Sequence, residues 1–205
     1  MLTIADHPLI HHKMAKLRDK HTPSPQFRHL VQEISQVLFY LALHDVKLKA
    51  VPVETPMMTT TGKVIAERIG LVPVLRAGLG MANAMHTALP EAIVWHLGIY
   101  RDHETLLPKT YYNKLPVSHG LDLAFVLDPM LATGGSANAA LDVLKAAGVP
   151  KVVFIGLIAA PEGIAALRAA HPDVPIYLAA QDERLNDVGY ILPGLGDAGD
   201  RQFGT

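Results

Sequence analysis

Residues 121–148 read LDLAFVLDPMLATGGSANAALDVLKAAG and contain three different patterns in a row. An apolar run, Leu123–Leu127, stops at the carboxylate of Asp128. The small residues Ala132–Ser136 follow, and an amphipathic helix pattern then extends over Ala137–Gly148, ending at a glycine typical of a helix C-terminus. The stretch therefore predicts a strand, a loop and a helix, in that order.

The predicted loop has the chemistry of a phosphate site. It offers free backbone N–H groups, the hydroxyls of Thr133 and Ser136, and the positive end of a helix dipole. The carboxylate of Asp128 suits sugar hydroxyls or a divalent cation, so a sugar phosphate is the first ligand to expect. An ordinary strand-to-helix turn is the alternative. The nucleotide loops GxGxxG and GxxxxGK[ST] do not occur here, and no second carboxylate follows Asp128 as in aspartyl-phosphate phosphatases.

Residues 126–136, VLDPMLATGGS, resemble the phosphoribosyl-pyrophosphate (PRPP) loop of the type I phosphoribosyltransferases. The version in this chain is similar to that of the uracil phosphoribosyltransferase family, which has one acidic residue before the loop where most relatives have two. Here Leu127 stands at the first of these positions and Asp128 at the second. The resemblance implies that PRPP is bound by Asp128, Pro129, Met130, Leu131, Ala132, Thr133, Gly134, Gly135 and Ser136.

Length and composition set the broad class. The chain has 205 residues, half of them hydrophobic, a net charge of −1 and no cysteine. We expect one domain, residues 1–205, in the cytoplasm, with no nucleic-acid partner, no membrane partner and no cysteine-based zinc site. Lys13, Arg18 and Arg28 form only a mildly basic face near the N-terminus, and the eleven histidines contain no HExxH motif.

Apolar and helical patterns alternate along most of the chain. Short apolar runs predict strands at 69–75, 92–99, 152–159 and 174–179, and helical spacing predicts helices at 25–43, 81–89 and 163–170. Alternation over 46–56 predicts a half-buried strand, and 59–63 reads as a turn. These patterns indicate an α/β fold with a mainly parallel sheet flanked by helices. Ligands in such folds bind at the carboxyl ends of strands, where Arg76, Arg101 and Asp128 lie.

Two arginines gain roles from the resemblance. Residues 75–78, LRAG, resemble the diphosphate loop of the family, in which a cis peptide is common, and Arg76 would bind the diphosphate. Arg101 would be a second diphosphate ligand, carried by a loop that closes over the site. Residues 111–116, YYNKLP, match the family as well, without an assigned role.

The C-terminal run 189–205 is the second strong signal. Its five glycines and one proline predict neither a helix nor a central strand, while apolar side chains such as Ile191 favour an ordered loop. The run resembles the uracil-recognition loop of the family, with Ile191, Gly196, Asp197 and Ala198 at the base-contacting positions. Backbone groups there would match O2, N3–H and O4 of uracil, and cytosine would be rejected strongly. Asp197 would orient the base, help to hold the magnesium–PRPP side, or accept the N1 proton.

The resemblance implies one reaction: uracil and PRPP give UMP and diphosphate, a step of pyrimidine salvage. The catalytic residues would be Asp197, Arg76 and Arg101, with Mg²⁺ held mainly through PRPP rather than by side chains. A homo-oligomer, reached through a β-arm around 46–56, and a GTP effector are further expectations. Two alternatives stay open: a PRPP-dependent transferase for a purine or orotate, and a regulator that binds PRPP or UMP and acts on RNA.

Overall fold

A computed structural model describes residues 1–101, 108–115 and 120–205. Nineteen helices and strands lie in these ranges. They are, in chain order, β1 (Leu2–Ile4), α1 (Pro8–Arg18), α2 (Ser24–Ala42), β2 (Leu48–Glu54), β3 (Thr59–Ile65), β4 (Ile69–Leu75), α3 (Leu79–Ala88), β5 (Ile93–Val94), β6 (Leu97–Arg101), β7 (Pro108–Asn113), β8 (Leu123–Leu127), β9 (Met130–Leu131), α4 (Gly135–Ala146), β10 (Lys151–Ala159), α5 (Pro161–Ala170), β11 (Ile176–Gln181), β12 (Arg184–Leu185), β13 (Ile191–Leu192) and α6 (Ala198–Phe203).

The central sheet is mainly parallel, as the sequence predicted. Its strand order is β1-β11-β10-β8-β4-β6-β7, with β5 beside β4 and β9 beside β10. Every pair in it is parallel except β6 with β7. Because β4, β8 and β10 lie side by side in one direction, the segments that follow β4 and β8 emerge at the same edge of the sheet.

Alternate residues of the central strands pack into two separate hydrophobic cores, one on each face of the sheet. Leu71 and Phe125 point towards α1, α2 and α3, where Phe39 of α2 meets the Phe125 ring edge-on with centroids 5.2 Å apart. Val72 and Val126 point to the opposite face, which α4 and α5 cover. Strand side chains alternate between faces, so a sheet covered on both sides needs the nearly continuous apolar runs seen in the sequence.

The predicted turn at Thr59–Lys63 is wrong. These residues belong to β3, which pairs antiparallel with β2 to form a hairpin, residues 48–65, that we call the arm. The turn lies at Thr55–Met58, where the Thr55 hydroxyl oxygen is 3.0 Å from the Met58 nitrogen and accepts its hydrogen bond. Three consecutive β-branched threonines suit an extended strand better than a turn, which is the signal that the sequence interpretation missed.

The helix α1 was not predicted from the sequence, because its apolar spacing is weak. It begins after His7, whose Nδ1 accepts a hydrogen bond from the Leu9 N–H, and Pro8 occupies its first turn. Proline at a helix start was the available signal. In the ranges that the structure describes, no helix combines the length and the apolar character needed to cross a bilayer.

Candidate active site

Asp128 stands at the carboxyl end of β8 and has an unusual environment. It is partly buried, and its Oδ1 accepts a hydrogen bond from the Met130 N–H at 3.2 Å. Burial raises the pKa of Asp128 to about 7; the Met130 bond opposes this rise, and the negative charge of Asp197 adds to it. Asp128 therefore lies near a second carboxylate, and no ion pair among the described residues neutralises it.

The loop after Asp128 lines a small pocket whose chemistry suits an anion, and we call it the anion pocket. Gly134 has a φ of +83° and stands immediately before α4, and the Gly135 nitrogen is 3.5 Å from the Thr133 hydroxyl, at the limit of a hydrogen bond. The first turn of α4 thus opens to a ligand with its N–H groups barely engaged. A pocket of about 70 Å³ lies there, lined by Asp128 and by residues 130–137.

The helix α5 supports this loop from behind. A Cβ placed on Gly163 would lie 2.4 Å from the Ala132 carbonyl oxygen and 2.5 Å from that of Leu131. Because only glycine permits this approach, the position of the PRPP-like loop depends on Gly163. Nothing in the sequence around Gly163 indicated this role.

Arg76 follows β4 at the same edge. The Leu75–Arg76 peptide bond is cis, as the resemblance implied. The Arg76 Nη2 donates to Asp200 Oδ1 at 2.9 Å, and its Nη1 lies 3.4 Å from the Thr205 hydroxyl. The structure therefore brings Arg76 to the C-terminal tail, and it adds Asp200 to the residues that the sequence had singled out.

Arg101 ends β6, whose Leu97 and Gly98 pair with Val74 and Leu75 of β4, so the strand that carries Arg101 lies beside the strand that precedes Arg76. The side chain of Arg101 and residues 102–107, in which a closing loop was expected, lie outside the described residues. The matched segment 111–116 divides in the same way: residues 111–113 belong to β7, and Pro116 is outside the described ranges.

The C-terminal run contains a helix, against expectation. Ile191 is buried in β13, and α6 begins after Asp197, whose Oδ1 accepts a hydrogen bond from the Asp200 N–H at 2.9 Å. The prediction that glycines exclude a helix was wrong, because four of the five lie outside α6. Gly196 and Gly204 have φ values of +79° and +73° and flank the helix, as helix-ending and turn glycines do.

The helix α6 also joins the tail to the diphosphate loop. The fully buried Gln202 donates from Nε2 to the carbonyl oxygens of Ala77 and Ala198, both at 2.9 Å. Arg201 donates to the Leu195 carbonyl oxygen at 2.7 Å and lies over the Phe27 ring. The contacts with Ala77 and Phe27 join segments that are far apart in sequence, and no local pattern indicated them.

The edge of the sheet thus combines an open anion pocket, a guanidinium, two neighbouring carboxylates and a tail with buried apolar side chains. Such an arrangement suits the binding of a phosphorylated sugar that carries a charged leaving group, beside a flat base. In the described residues no group of three or more histidine, aspartate or glutamate side chains could hold a metal ion. Together with the fold, the site defines a phosphoribosyltransferase of type I.

Comparisons with solved structures support the fold. A hypoxanthine-guanine phosphoribosyltransferase from Bacillus anthracis has the same fold, with a TM-score of 0.53, 13% identity and coverage of 78% of this chain and 80% of that chain. A solved structure of a protein from Aquifex aeolicus is much more similar: the TM-score is 0.93 and the identity 40%, over 99% of this chain and 98% of that one.

The sequence comparisons define the family. The model of the uracil phosphoribosyltransferase family matches residues 4–205. A uracil phosphoribosyltransferase from Roseiflexus castenholzii is 59% identical over 202 residues, 98% of this chain and 97% of its own length. One from Dictyoglomus thermophilum is 55% identical over 206 residues and covers all of both chains. The chain belongs to the uracil phosphoribosyltransferase family and is a pentosyltransferase, which confirms the resemblance seen in the sequence.

Proposed function

We propose that three segments of this chain divide the work of the family's reaction, in which uracil and PRPP give UMP and diphosphate. The loop 130–136 and the first turn of α4 bind the 5′-phosphate, and Asp128 binds the ribose hydroxyls. Arg76 and Arg101 bind the diphosphate. The tail, through Ile191, Gly196, Asp197 and Ala198, reads the base.

The observation that carries this assignment is the environment of Asp128. Its carboxylate faces the anion pocket, lies near Asp197 and has a pKa raised to about 7 by burial. Two ribose hydroxyls would donate hydrogen bonds to this carboxylate and stabilise its charged form. In an ordinary strand-to-helix turn, a partly buried carboxylate without a cation would cost stability and bring no benefit.

The tail supplies the base site. Ile191 and Ala198 are buried in the core and so hold the tail in place, while the glycines with positive φ turn the backbone so that its N–H and C=O groups can line a flat ring. One carboxylate oxygen of Asp197 caps α6, and we assign the other to the substrate side. Uracil fits a fixed pattern of backbone acceptors and donors, whereas cytosine reverses two of its three partners.

Catalysis follows from this placement. N1 of uracil attacks the anomeric carbon while the bond from that carbon to the diphosphate breaks, through an oxocarbenium-like transition state with no covalent enzyme intermediate. The N1 proton passes to a neighbouring base, either the Asp197 carboxylate or an oxygen of the departing diphosphate. Arg76 and Arg101 stabilise the charge that gathers on the leaving group. Mg²⁺ would be held mainly by oxygens of PRPP, and the carboxylates of Asp128 and Asp197 are the oxygen ligands of this chain that would complete its coordination. When bound, Mg²⁺ supplies positive charge that stabilises the departing diphosphate.

The arm indicates a second copy of the chain as partner. Leu48, Val53, Met57 and Met58 are exposed on it, Met57 by 91%, and a two-stranded ribbon is marginal when it stands alone. We propose a homo-oligomer in which the arm packs on a neighbouring subunit; a monomer in a sizing experiment would contradict this. A GTP effector stays a prediction from the resemblance, and a cytoplasmic location stays a prediction from the composition.

Conversion of uracil and PRPP to UMP by the purified chain tests the assignment. We expect turnover that depends on Mg²⁺ and a base preference of uracil over cytosine, hypoxanthine and orotate. Preference for hypoxanthine or orotate would favour the first alternative, a transferase for another base. Retention of RNA at moderate salt without turnover would favour the second, a regulator, although the net charge of −1 argues against RNA binding.

Replacement of Asp197 tests its role in the site. Asp197→Asn removes the negative charge while an amide oxygen can still cap α6. We expect kcat/KM to fall by about tenfold or more, because about 1.4 kcal/mol of transition-state stabilisation corresponds to a factor of ten. Unchanged kinetics would remove Asp197 from the catalytic residues.

A further inference from the structure

Arg18 and Asp182 form a bidentate ion pair beneath the tail. Arg18 is the last residue of α1, and Asp182 directly follows β11. The Arg18 Nη1 is 2.8 Å from Asp182 Oδ2, and its Nη2 is 2.5 Å from Asp182 Oδ1. The Asp182 side chain is 2% exposed. Arg18 is therefore not a free cation on a basic N-terminal face, as its sequence neighbours suggested.

The pair also holds both polar backbone groups of Gly194. Asp182 Oδ2 accepts a hydrogen bond from the Gly194 N–H at 2.9 Å, and Arg18 Nη1 donates to the Gly194 carbonyl oxygen at 2.7 Å. Gly194 has a φ of +70°, and a Cβ on it would lie 2.2 Å from the Ile191 carbonyl oxygen. This tight turn connects Ile191 with Gly196, so the pair fixes the backbone between two of the residues assigned to the base.

We propose that Arg18 and Asp182 are positioning residues for base recognition, which set the affinity for uracil and the discrimination against cytosine without touching the base. The inference rests on the proposed base site in the tail. A site that reads a base with backbone groups cannot adjust by rotating side chains, so its selectivity requires a backbone that is held in place. Hydrogen bonds to charged partners are the strong ones, and here they act on both polar atoms of one peptide turn.

The chemistry explains why the pair is an arginine and an aspartate. A guanidinium is planar and carries five donors, so one side chain can bind a carboxylate through both oxygens and a carbonyl at the same time. A lysine ammonium keeps the charge but does not reproduce the two-pronged contact. Arg18→Lys therefore separates geometry from charge.

The effect should be confined to the base. The anion pocket is built by β8, β9 and α4, with α5 behind it, and neither Arg18 nor Asp182 lines it. Loss of the pair should weaken uracil binding and leave PRPP binding nearly unchanged. A general loss of structure would instead affect both substrates.

The test compares Arg18→Lys and Asp182→Asn with Glu67→Gln as a matched control. Glu67 is also a carboxylate with little exposure, paired with a cation (Lys151) and accepting a backbone N–H bond from Lys47, but it lies at the opposite end of the sheet. For the two pair variants we expect the KM for uracil to rise about tenfold or more, with the KM for PRPP within about threefold of wild type. The ratio of the cytosine inhibition constant to the uracil KM should fall by about tenfold. Glu67→Gln should change none of these.

A buried charge left without its partner destabilises a protein, so melting temperatures are measured alongside the kinetics. If either single variant fails to fold, the double variant Arg18→Met/Asp182→Leu removes both charges and should show the same selective rise in the KM for uracil. A folded variant with an unchanged KM for uracil, or with both KM values raised in parallel, would overturn the proposal. Wild-type protein that fails to use uracil would instead overturn the proposed function itself.

Discussion

Two partly buried carboxylates lie at opposite ends of the same parallel strands, and their surroundings are opposite. Glu67, just before β4, meets the Lys151 ammonium at 2.8 Å and accepts the Lys47 N–H at 2.9 Å. Burial alone would raise the pKa of Glu67, but these two partners outweigh it and hold the pKa below the ordinary value. Asp128, just after β8, pairs with no cation in the described ranges, and burial raises its pKa to about 7.

We infer from this difference that Glu67 stabilises the fold, whereas Asp128 has the ligand-binding role that the proposed function gives it. At the amino end of the strands the protein satisfies its own charge. At the carboxyl end Asp128 has one hydrogen bond, from the Met130 N–H, and no cation among the described residues, so the hydroxyl groups of a bound sugar could donate further hydrogen bonds to it. An unpaired group of this kind costs stability and is typical of binding and catalytic sites.

The largest effect is expected from Asp128→Asn. Loss of the charged acceptor for two hydroxyls removes about 3 to 6 kcal/mol, so kcat/KM for PRPP should fall by about two orders of magnitude or more. The same variant should be more stable than wild type at pH 8 without ligand, because it no longer buries a charge there. Steady-state kinetics and thermal unfolding measure the two effects. Lower stability together with unchanged kinetics would show that Asp128 stabilises the fold and does not bind the substrate.

The pH dependence should follow the same carboxyl group. Below pH 7 Asp128 is protonated in the free enzyme, so kcat/KM for PRPP should fall by up to about tenfold per pH unit. Stability should change in the opposite direction. Because the folded-state pKa of Asp128 is raised from 3.8, its contribution is complete below pH 4 and is lost as the pH rises towards 7. Both slopes should be smaller in Asp128→Asn, which serves as the control for titration of PRPP itself.

Gly163→Ala should produce a smaller, selective effect. The added methyl group would collide with the Ala132 and Leu131 carbonyl oxygens and displace the loop that forms the anion pocket. We expect the KM for PRPP to rise by about tenfold, since small displacements of a binding loop cost this much or more. Gly148→Ala is the control: its Cβ would meet nothing within 4 Å, so it should lower stability through its φ of +82° without changing this KM. Equal KM values for PRPP in the two variants would contradict the inference that α5 holds this loop in position.

The smallest effect is expected at the other carboxylate. Glu67→Gln should lower the free energy of unfolding by about 1 kcal/mol at pH 7 and leave both KM values unchanged. The loss should disappear in acid: a carboxyl with a lowered pKa stabilises the fold above its ordinary value of 4.5, and this contribution is lost as the pH falls through the folded-state value. Urea unfolding at pH 7 and pH 3 measures it. An effect on catalysis would contradict the view that Glu67, at the amino end of the strands, only stabilises the fold.

Sequence reasoning succeeded where the signal is contiguous. The strand, loop and helix of 121–148 lie in one stretch, so periodicity predicted the element order and the motif predicted the family. It failed at α6, because the number of glycines was considered and their positions were not: Gly196 and Gly204 flank the helix, and only Gly199 lies within it. It also failed at the arm, where three threonines were read as a turn.

The contacts that hold the tail could not be predicted, for a physical reason. Arg18 and Asp182 are 164 residues apart, and Gln202 contacts a carbonyl 125 residues away. Such pairs form only once the sheet has brought α1, β11 and α6 together. The charge or polarity of a single residue does not indicate which distant residue it will contact.

Titration of the Asp128 carboxyl carbon by NMR, in free and PRPP-bound protein, tests whether this carboxylate is kept for a ribose. The account predicts a pKa near 7 in the free protein, and a fall of more than about two units when the sugar hydroxyls bind. An ordinary pKa in the free protein, or one that PRPP leaves unchanged, would contradict it.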